Sequence, residues 1–386
     1  MPPEATWSYP TEIRFGAGRI AELADVCRDR GMRRPLVVTD RGLASSRMFS
    51  DVLSVLHGAD IDHAVWTEVR ANPVGANVDA GVVTYREGAH DGVVAVGGGS
   101  AIDVAKVVAL MVGQNRPVWD FEDVGDNWKR AAPHSIAPII AVPTTAGTGS
   151  EVGRAGVVID ERTQRTVIVY HREMLPVAVL CDPELTIALP PALTVGTGMD
   201  ALWHSLEALC SPIYHPMSHG IATEGCRLVL DNLPRVARDP GDITSRGHMM
   251  TAAAMGAVAF QKGLGAMHAL SHPIGALFDT HHGTTNATLM PYVLAANRPT
   301  IDDDLGRLAS YVGIDGGADG VIEHIIGLRD SLGVPHTLIE LGVPASATTT
   351  VAHAAVTDPS AAGNPVPLTE ALASAMFEAA CAGNVS

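Results

Sequence analysis

The sequence has little that would tie it to a disulfide scaffold, to nucleic acid or to a membrane. Cysteine is scarce. Cys27, Cys181, Cys210, Cys226 and Cys381 are five in 386 residues, odd in number, scattered and without a C-x-x-C pair. That excludes a disulfide framework and a zinc ribbon, and it predicts free, mostly buried thiols in a reducing cytoplasm. Basic residues are outnumbered, with 26 Lys+Arg against 42 Asp+Glu. The formal net charge of −16 argues against a nucleic-acid binder or a protein of anionic membrane surfaces. Long apolar runs are missing. The uncharged stretch Ala131–Ser150 is interrupted by Pro133, Pro138 and Pro143, so no segment reads as a membrane span. The opening residues MPPEATWSYP lack a basic region followed by an apolar one, and no secretory leader is expected.

What is present reads as two folded domains. Hydrophobic residues make up 47% and charged residues 18%, well outside the range of disordered chains. In the first half, short β-branched runs alternate with helical stretches: Pro35–Thr39, Asp62–Trp66, Gly92–Val96, Pro138–Val142 and Val177–Cys181 read as strands. A helix is expected from about Ser100 to Val112. Near-continuous apolar strands between helices predict a mostly parallel sheet covered on both faces. After Pro190-Pro191 the Val-rich strands stop. Ala-, Leu-, Met- and His-rich periodicity predicts helices over Leu193–Cys210, His219–Leu230, Ser245–Lys262, Ala266–Phe278 and Leu305–Val312. The expected organisation is an α/β domain over residues 1–187 and an all-α domain over residues 188–386.

Three groups of residues could carry chemistry. Gly97-Gly98-Gly99-Ser100 follows a strand and precedes a helix, where backbone N–H groups and the helix N-terminus can receive a phosphate. Ile102 stands where the dinucleotide fingerprint G-x-G-x-x-G has its last glycine, so the match to that fingerprint fails. The loop Pro143–Glu151 (PTTAGTGSE) interleaves hydroxyls with glycine and has no nucleophile elbow. Asp200 and His204 are four apart in a helical stretch, as are His268 and His272, and His281-His282-Gly283 follows. One carboxylate with several imidazoles suits a divalent metal such as iron(II) or zinc. Spacing alone leaves open which of His268, His272, His281 and His282 coordinate.

Together, GGGSAIDVAK (Gly97–Lys106), PTTAGTGSEV (Pro143–Val152), TGMDALWH (Thr197–His204) and GLGAMHALSHP…HHG (Gly263–Gly283) resemble the iron-containing, group III alcohol dehydrogenases, in that family's order and over about residues 10–380. The resemblance implies an N-terminal Rossmann-like domain and a helical C-terminal domain, the dehydroquinate synthase-like architecture. It makes Asp200, His204, His268 and His282 the metal ligands, with iron(II), or alternatively zinc, as the metal. His272 becomes the catalytic histidine beside the substrate, and His281 a bystander. NAD would lie on Gly97, Gly98, Gly99, Ser100 and Asp103, along Thr144, Thr145 and Thr148, with Asp40 beside the adenosine ribose. A carboxylate there accepts a hydrogen bond from a 2′-hydroxyl and repels a 2′-phosphate, which favours NAD over NADP.

A narrower resemblance concerns SEVGRAGVV, CDPELTIALP and AFQKGLGAMHALSHPIG, which look like the 4-hydroxybutyrate dehydrogenase branch. It implies Arg154 and Lys262 as cations that hold an anionic substrate. The reaction implied is reversible hydride transfer between NAD and a small primary alcohol or aldehyde, such as 4-hydroxybutyrate and succinic semialdehyde, in a cytoplasmic homodimer or larger homo-oligomer. The competing readings are a plain short-chain alcohol or phosphonoacetaldehyde reductase, a lyase of the dehydroquinate synthase type, and a metal-free nucleotide-sensing protein.

Overall fold

The structure is a computed structural model and describes residues 11–163 and 165–385. Residues 1–10, which carry the expectation about a leader, lie outside the described residues. The chain divides into two compact units, with the break between Leu189 and Pro190.

The first unit holds the strands β1 (Ile13–Phe15), β2 (Leu36–Asp40), β3 (Ala64–Val69), β4 (Val93–Gly97), β5 (Ile139–Pro143), β6 (Ala155–Asp160), β7 (Arg165–Tyr170) and β8 (Ala178–Cys181). Six of them form one parallel sheet in the order β1-β8-β5-β4-β2-β3, and β6 and β7 pair as a separate antiparallel hairpin. The helices of this unit are α1 (Leu23–Asp29), α2 (Arg41–Ala44), α3 (Arg47–Gly58), α4 (Gly75–Glu87) and α5 (Gly99–Met111). Every residue of β4, β5 and β8 is buried, as expected for central parallel strands with apolar side chains on both faces. On one face Val37, Val94, Val96, Ile140, Val142 and Leu180 pack with Leu23, Val26, Phe49 and Leu56 of α1 and α3. Each such side chain contributes about 1.5–3 kcal/mol when fully removed from water.

Strand adjacency decides where chemistry can gather. β2, β4 and β5 are neighbours and parallel, so Asp40, Gly97 and Pro143 all stand at carboxyl ends on one edge of the sheet. Ligands of open parallel sheets bind at that edge.

The second unit is helical among its described residues: α6 (Pro191–Cys210), α7 (Pro216–Arg238), α8 (Ile243–Ala259), α9 (Ala266–Phe278), α10 (His282–Val312), α11 (Gly317–Ser331), α12 (Thr348–Ala355) and α13 (Glu370–Ala382). Pro191 sits in the first turn of α6, where its missing N–H leaves no broken bond. The stretch expected as one helix to Lys262 ends at Ala259 and continues as a 3₁₀ turn over Phe260–Lys262. The segment expected only over Leu305–Val312 is the end of α10, a helix of 31 residues that carries Pro291 and Pro299 inside it. No helix is long and apolar enough to cross a membrane, among the described residues.

Candidate active site

In the helical unit, the spacing along α6 sets out the site. Asp200, His204 and Glu207 fall on one side of the helix at intervals of four and three, and all are buried. α9 brings His268 against them: its Nε2 lies 3.1 Å from His204 Nε2, and the two rings stack with centroids 4.9 Å apart. Ligand atoms of Asp200, His204 and His268 all lie within 4.8 Å of one another. His282 stands at their margin, as the first residue of α10. Its Nε2 is 3.7 Å from Asp200 Oδ1, and it falls outside the tight triplet. The close crossing of α10 on α6 depends on glycine. A Cβ at Gly283 would lie 2.3 Å from the Gly196 carbonyl oxygen.

Charge is uneven across this cluster. Burial pushes the Asp200 carboxyl up, but His204, His282, His268 and a bond from Asn286 outweigh it and hold it down at about 2. Burial disfavours a charged His268, yet the Glu207 carboxylate prevails and raises it above the ordinary histidine value. His282 is pushed down to about 3 by burial. The donor set of one ionised carboxylate and neighbouring imidazoles fits a borderline divalent cation. Asn286 Oδ1 is buried there without a hydrogen-bond partner among the described residues.

His272, one turn after His268, packs its ring edge-on to His268 and parallel to His282, with centroids 5.7 Å apart in both cases. Its Nδ1 is 2.8 Å from Asp358 Oδ2. His281 turns away from this work and caps α10: its Nδ1 accepts from the Thr284 N–H at 3.2 Å.

In the α/β unit, the glycine turn joins β4 to α5. Gly97 has φ 154°, a backbone shape unfavourable to side chains, and its carbonyl accepts from the Thr144 N–H at 3.0 Å. A Cβ at Gly99 would lie 2.6 Å from Thr148 Cγ2, and one at Gly98 would lie 3.1 Å from Thr145 Cγ2. The turn and the Thr144–Thr148 loop are thus pressed together. Ser100 Oγ donates to the Ala71 carbonyl at 2.5 Å. Asp103 points into the fold: it accepts from Ser150 Oγ, and from the Val157 N–H at 3.0 Å. Lys106, wholly buried, lies 3.3 Å from Asp103 and donates to the Ser150 carbonyl at 2.9 Å. Asp40 ends β2 and caps α2 through a 2.9 Å bond from the Leu43 N–H.

The two cations expected at the substrate differ in their surroundings. Arg154, just before β6, is half-buried, and its guanidinium has no hydrogen-bond or ion-pair partner among the described residues. Lys262 is buried, and its Nζ donates to the Leu209 carbonyl at 2.7 Å, at the C-terminal end of α6. There it satisfies a carbonyl that the helix leaves open and faces the negative end of the helix dipole. The charge of Lys262 therefore has an internal structural partner, which its sequence position did not reveal.

Residues 10–183 match the model for iron-containing alcohol dehydrogenases, and residues 194–381 match that for the C-terminal part of the Fe-containing alcohol dehydrogenase family. The chain belongs to the iron-containing alcohol dehydrogenase family. It is 39% identical over 345 residues to the 4-hydroxybutyrate dehydrogenase of Cupriavidus necator, covering 87% of this chain and 89% of that one. Among solved structures it resembles a 1,3-propanediol oxidoreductase with TM-score 0.92 and 31% identity, over 97% of this chain and 100% of the other. It also resembles the sulfoacetaldehyde reductase of Bifidobacterium kashiwanohense, solved with NAD+, with TM-score 0.88 and 27% identity, over 99% of this chain and 100% of the other.

As a member of this alcohol dehydrogenase family the chain is an oxidoreductase, and its sheet-plus-helices architecture is the one expected. Four residues around the two clusters escaped the sequence reading. Glu207 had a usable signal, three residues after His204 on the same helical side. Asn286, one turn after His282, had the same kind of signal; it donates to Asp200 Oδ1 at 2.8 Å and lies 3.0 Å from His282 Nε2. Lys106 lies one turn after Asp103 on α5. Asp358 had none, because 86 residues separate it from His272.

Proposed function

We propose that the protein is an NAD-dependent, metal-dependent dehydrogenase that interconverts a small ω-hydroxy acid and its aldehyde, with 4-hydroxybutyrate and succinic semialdehyde as the leading pair. The observation that carries the acid preference is Arg154, a half-buried cation with no partner among the described residues. Such a group is available to a substrate carboxylate. The similarity to a 4-hydroxybutyrate dehydrogenase supports the same choice.

Asp200, His204, His268 and His282 would hold iron(II), or zinc in its place. When bound, the metal supplies Lewis acidity at the substrate oxygen, and NAD supplies the acceptor for hydride. The remaining tasks belong to the chain. Asp200 contributes the negative charge that favours a cation in a buried place. His272, with Nδ1 on Asp358, keeps Nε2 for passing a proton. The turn Gly97–Ser100 and the threonines Thr144, Thr145 and Thr148 offer N–H and hydroxyl groups to the dinucleotide. Asp40 selects the unphosphorylated ribose. Buried free thiols at Cys27, Cys181, Cys210 and Cys226 accord with a reducing compartment, and the protein would work as a cytoplasmic homo-oligomer.

The test compares kcat/KM for 4-hydroxybutyrate and 1-butanol in wild type and in Arg154→Ala and Lys262→Ala, with metal analysis of each. Loss of a charge-assisted bond of about 1.5–3 kcal/mol lowers kcat/KM about 10- to 150-fold. Arg154→Ala should show that loss on the acid and little on butanol. Equal losses on both, or a wild type that prefers butanol, would leave a plain alcohol dehydrogenase. A preference for phosphonoacetaldehyde would keep the anion site and change the substrate. Lys262→Ala should lose thermal stability and not selectivity, in keeping with its bond to the C-terminal end of α6.

A further inference from the structure

α9 begins without a capping side chain of its own, at Gly265, although it carries His268 on its first turn. Its open N–H groups are met from elsewhere in the unit. The Ala266 N–H donates to Asn364 Oδ1 at 3.0 Å, and the Met267 N–H donates to Glu207 Oε1 at 2.9 Å. Asn364 is itself locked by a reciprocal amide pair with Asn297, 2.9 Å in each direction. The second oxygen of Glu207, Oε2, lies 2.5 Å from His268 Nδ1. One buried carboxylate, anchored on α6 one turn past His204, therefore receives both a helix N–H and an imidazole.

The chemistry of that arrangement is specific. Both partners of Glu207 are donors, and only a carboxylate offers two acceptors in that space. An imidazole whose Nδ1 carries the proton has its lone pair on Nε2, the nitrogen that faces His204 at 3.1 Å. From this we infer that Glu207 is the positioning residue of the metal centre: it fixes His268 in the Nδ1–H form and fixes the turn of α9 that bears it, so that Nε2 is ready to bind the ion. This rests on the proposed metal reading. It adds a determinant of metal affinity that lies outside the four ligands, and it acts only through His268.

The substitution Glu207→Gln is nearly isosteric and separates the two bonds. An amide has one oxygen and one NH₂. If the oxygen stays on the Met267 N–H, the NH₂ faces His268 Nδ1 and forces the proton to Nε2, where it blocks the ion. If the amide turns over, the helix N–H meets a donor. Either way metal affinity should fall about 10- to 100-fold, the range seen when a ligand's supporting carboxylate is lost. The probes are Zn2+ binding by competition with a chelating dye and the visible spectrum of Co2+-loaded protein, in wild type, Glu207→Gln, Glu207→Asp and His268→Ala.

Glu207→Asp keeps both acceptors and should recover part of the affinity. Glu207→Gln that binds Zn2+ within about threefold of wild type, with the same Co2+ spectrum, overturns the inference. Should Glu207→Gln fail to fold, the wild type decides the matter. Nitrogen NMR of histidine-labelled metal-free protein, with His268→Ala to assign the signal and at a pH high enough for His268 to be neutral, must show the single proton on Nδ1, and a neutral ring with its proton on Nε2 overturns it. Wild type that takes up no metal refutes the metal reading, and the tautomer measurement then still tests Glu207.

Discussion

His272 Nδ1 and Asp358 Oδ2 lie 2.8 Å apart, joining α9 to a turn 86 residues further along the chain. Burial pushes the Asp358 carboxyl up, but His272 and Ser360 outweigh it and hold it below the ordinary value. Asp358 is therefore ionised and orients the ring. Asp358→Ala should lower kcat by about 10-fold or more, since a positioned acid–base group, the role proposed for His272, contributes about 100-fold or more when fully effective. Metal content should stay at the wild-type level. Steady-state kinetics with metal analysis checks this; loss of metal along with activity would assign Asp358 to the ligand set.

Stability of the metal-free protein should fall on acidification in a predictable window. His282 titrates near 6.5 when unfolded and at about 3 when folded. Between those values the unfolded chain binds the extra proton, so stability declines as pH drops below 6.5. Asp200 adds to the decline from pH 3.8 toward about 2, because its lowered value stabilises the fold only while it is ionised. Thermal melts from pH 7 to pH 4 should therefore slope downward toward acid, and His282→Ala should flatten the slope. An unchanged slope in that variant would remove His282 as its source.

Asp40 has a structural task beside the cofactor selection proposed for it, and a test of cofactor choice has to separate the two. Its Oδ1 caps α2, so a glycine there would change the helix as well as the charge. Asp40→Ser keeps an oxygen suited to capping and removes the charge. The ratio of kcat/KM with NAD to that with NADP should fall about 10-fold or more, an energy change of about 1.4 kcal/mol. Wild type that uses both cofactors equally would refute the assignment.

Buried Lys106 and part-buried Asp103 form a pair that fastens the 144–153 loop to α5. Removing one partner strands the other charge. Lys106→Met should cost about 3–5 kcal/mol, and the double change with Asp103→Asn should cost less than Lys106→Met alone. Chemical denaturation of the three variants measures this. A double variant no more stable than Lys106→Met would show that the pair is not the clasp.

The sequence was most informative where side-chain chemistry is repeated locally. The strands of the central sheet were legible because they are apolar on both faces, and helical spacing paired Asp200 with His204 on one helix and His268 with His272 on another, while the family resemblance, not spacing, joined the two pairs. The edge strand β1 has only three residues, too few for a pattern. The hairpin of β6 and β7 went unread although AGVVID and RTVIVY are rich in β-branched residues; only its burial, and not its composition, alternates. Most of α10 was missed because Pro291 and Pro299 read as stops, yet the helix continues through both. Lys262 shows another limit. A long flexible side chain can reach in several directions, and only the position of the α6 terminus decided which one. Asp358 and Asn364 act on α9 across large sequence separations, so no local pattern could pair them with His272 or Ala266.

The break at Leu189–Pro190 also bears on inheritance. Asp40, the glycine turn, the threonine loop and Arg154 all precede it, and every carboxylate and imidazole from Asp200 to Asp358 follows it. A crossover between two related genes at that point hands on each set whole, with its internal bonds to Lys106, Glu207, Asn286 and Asn364 intact. The determinants proposed for the nucleotide and those proposed for the metal thus lie on opposite sides of one break, and hybrid chains joined at that proline are the natural place to look for new pairings of the two.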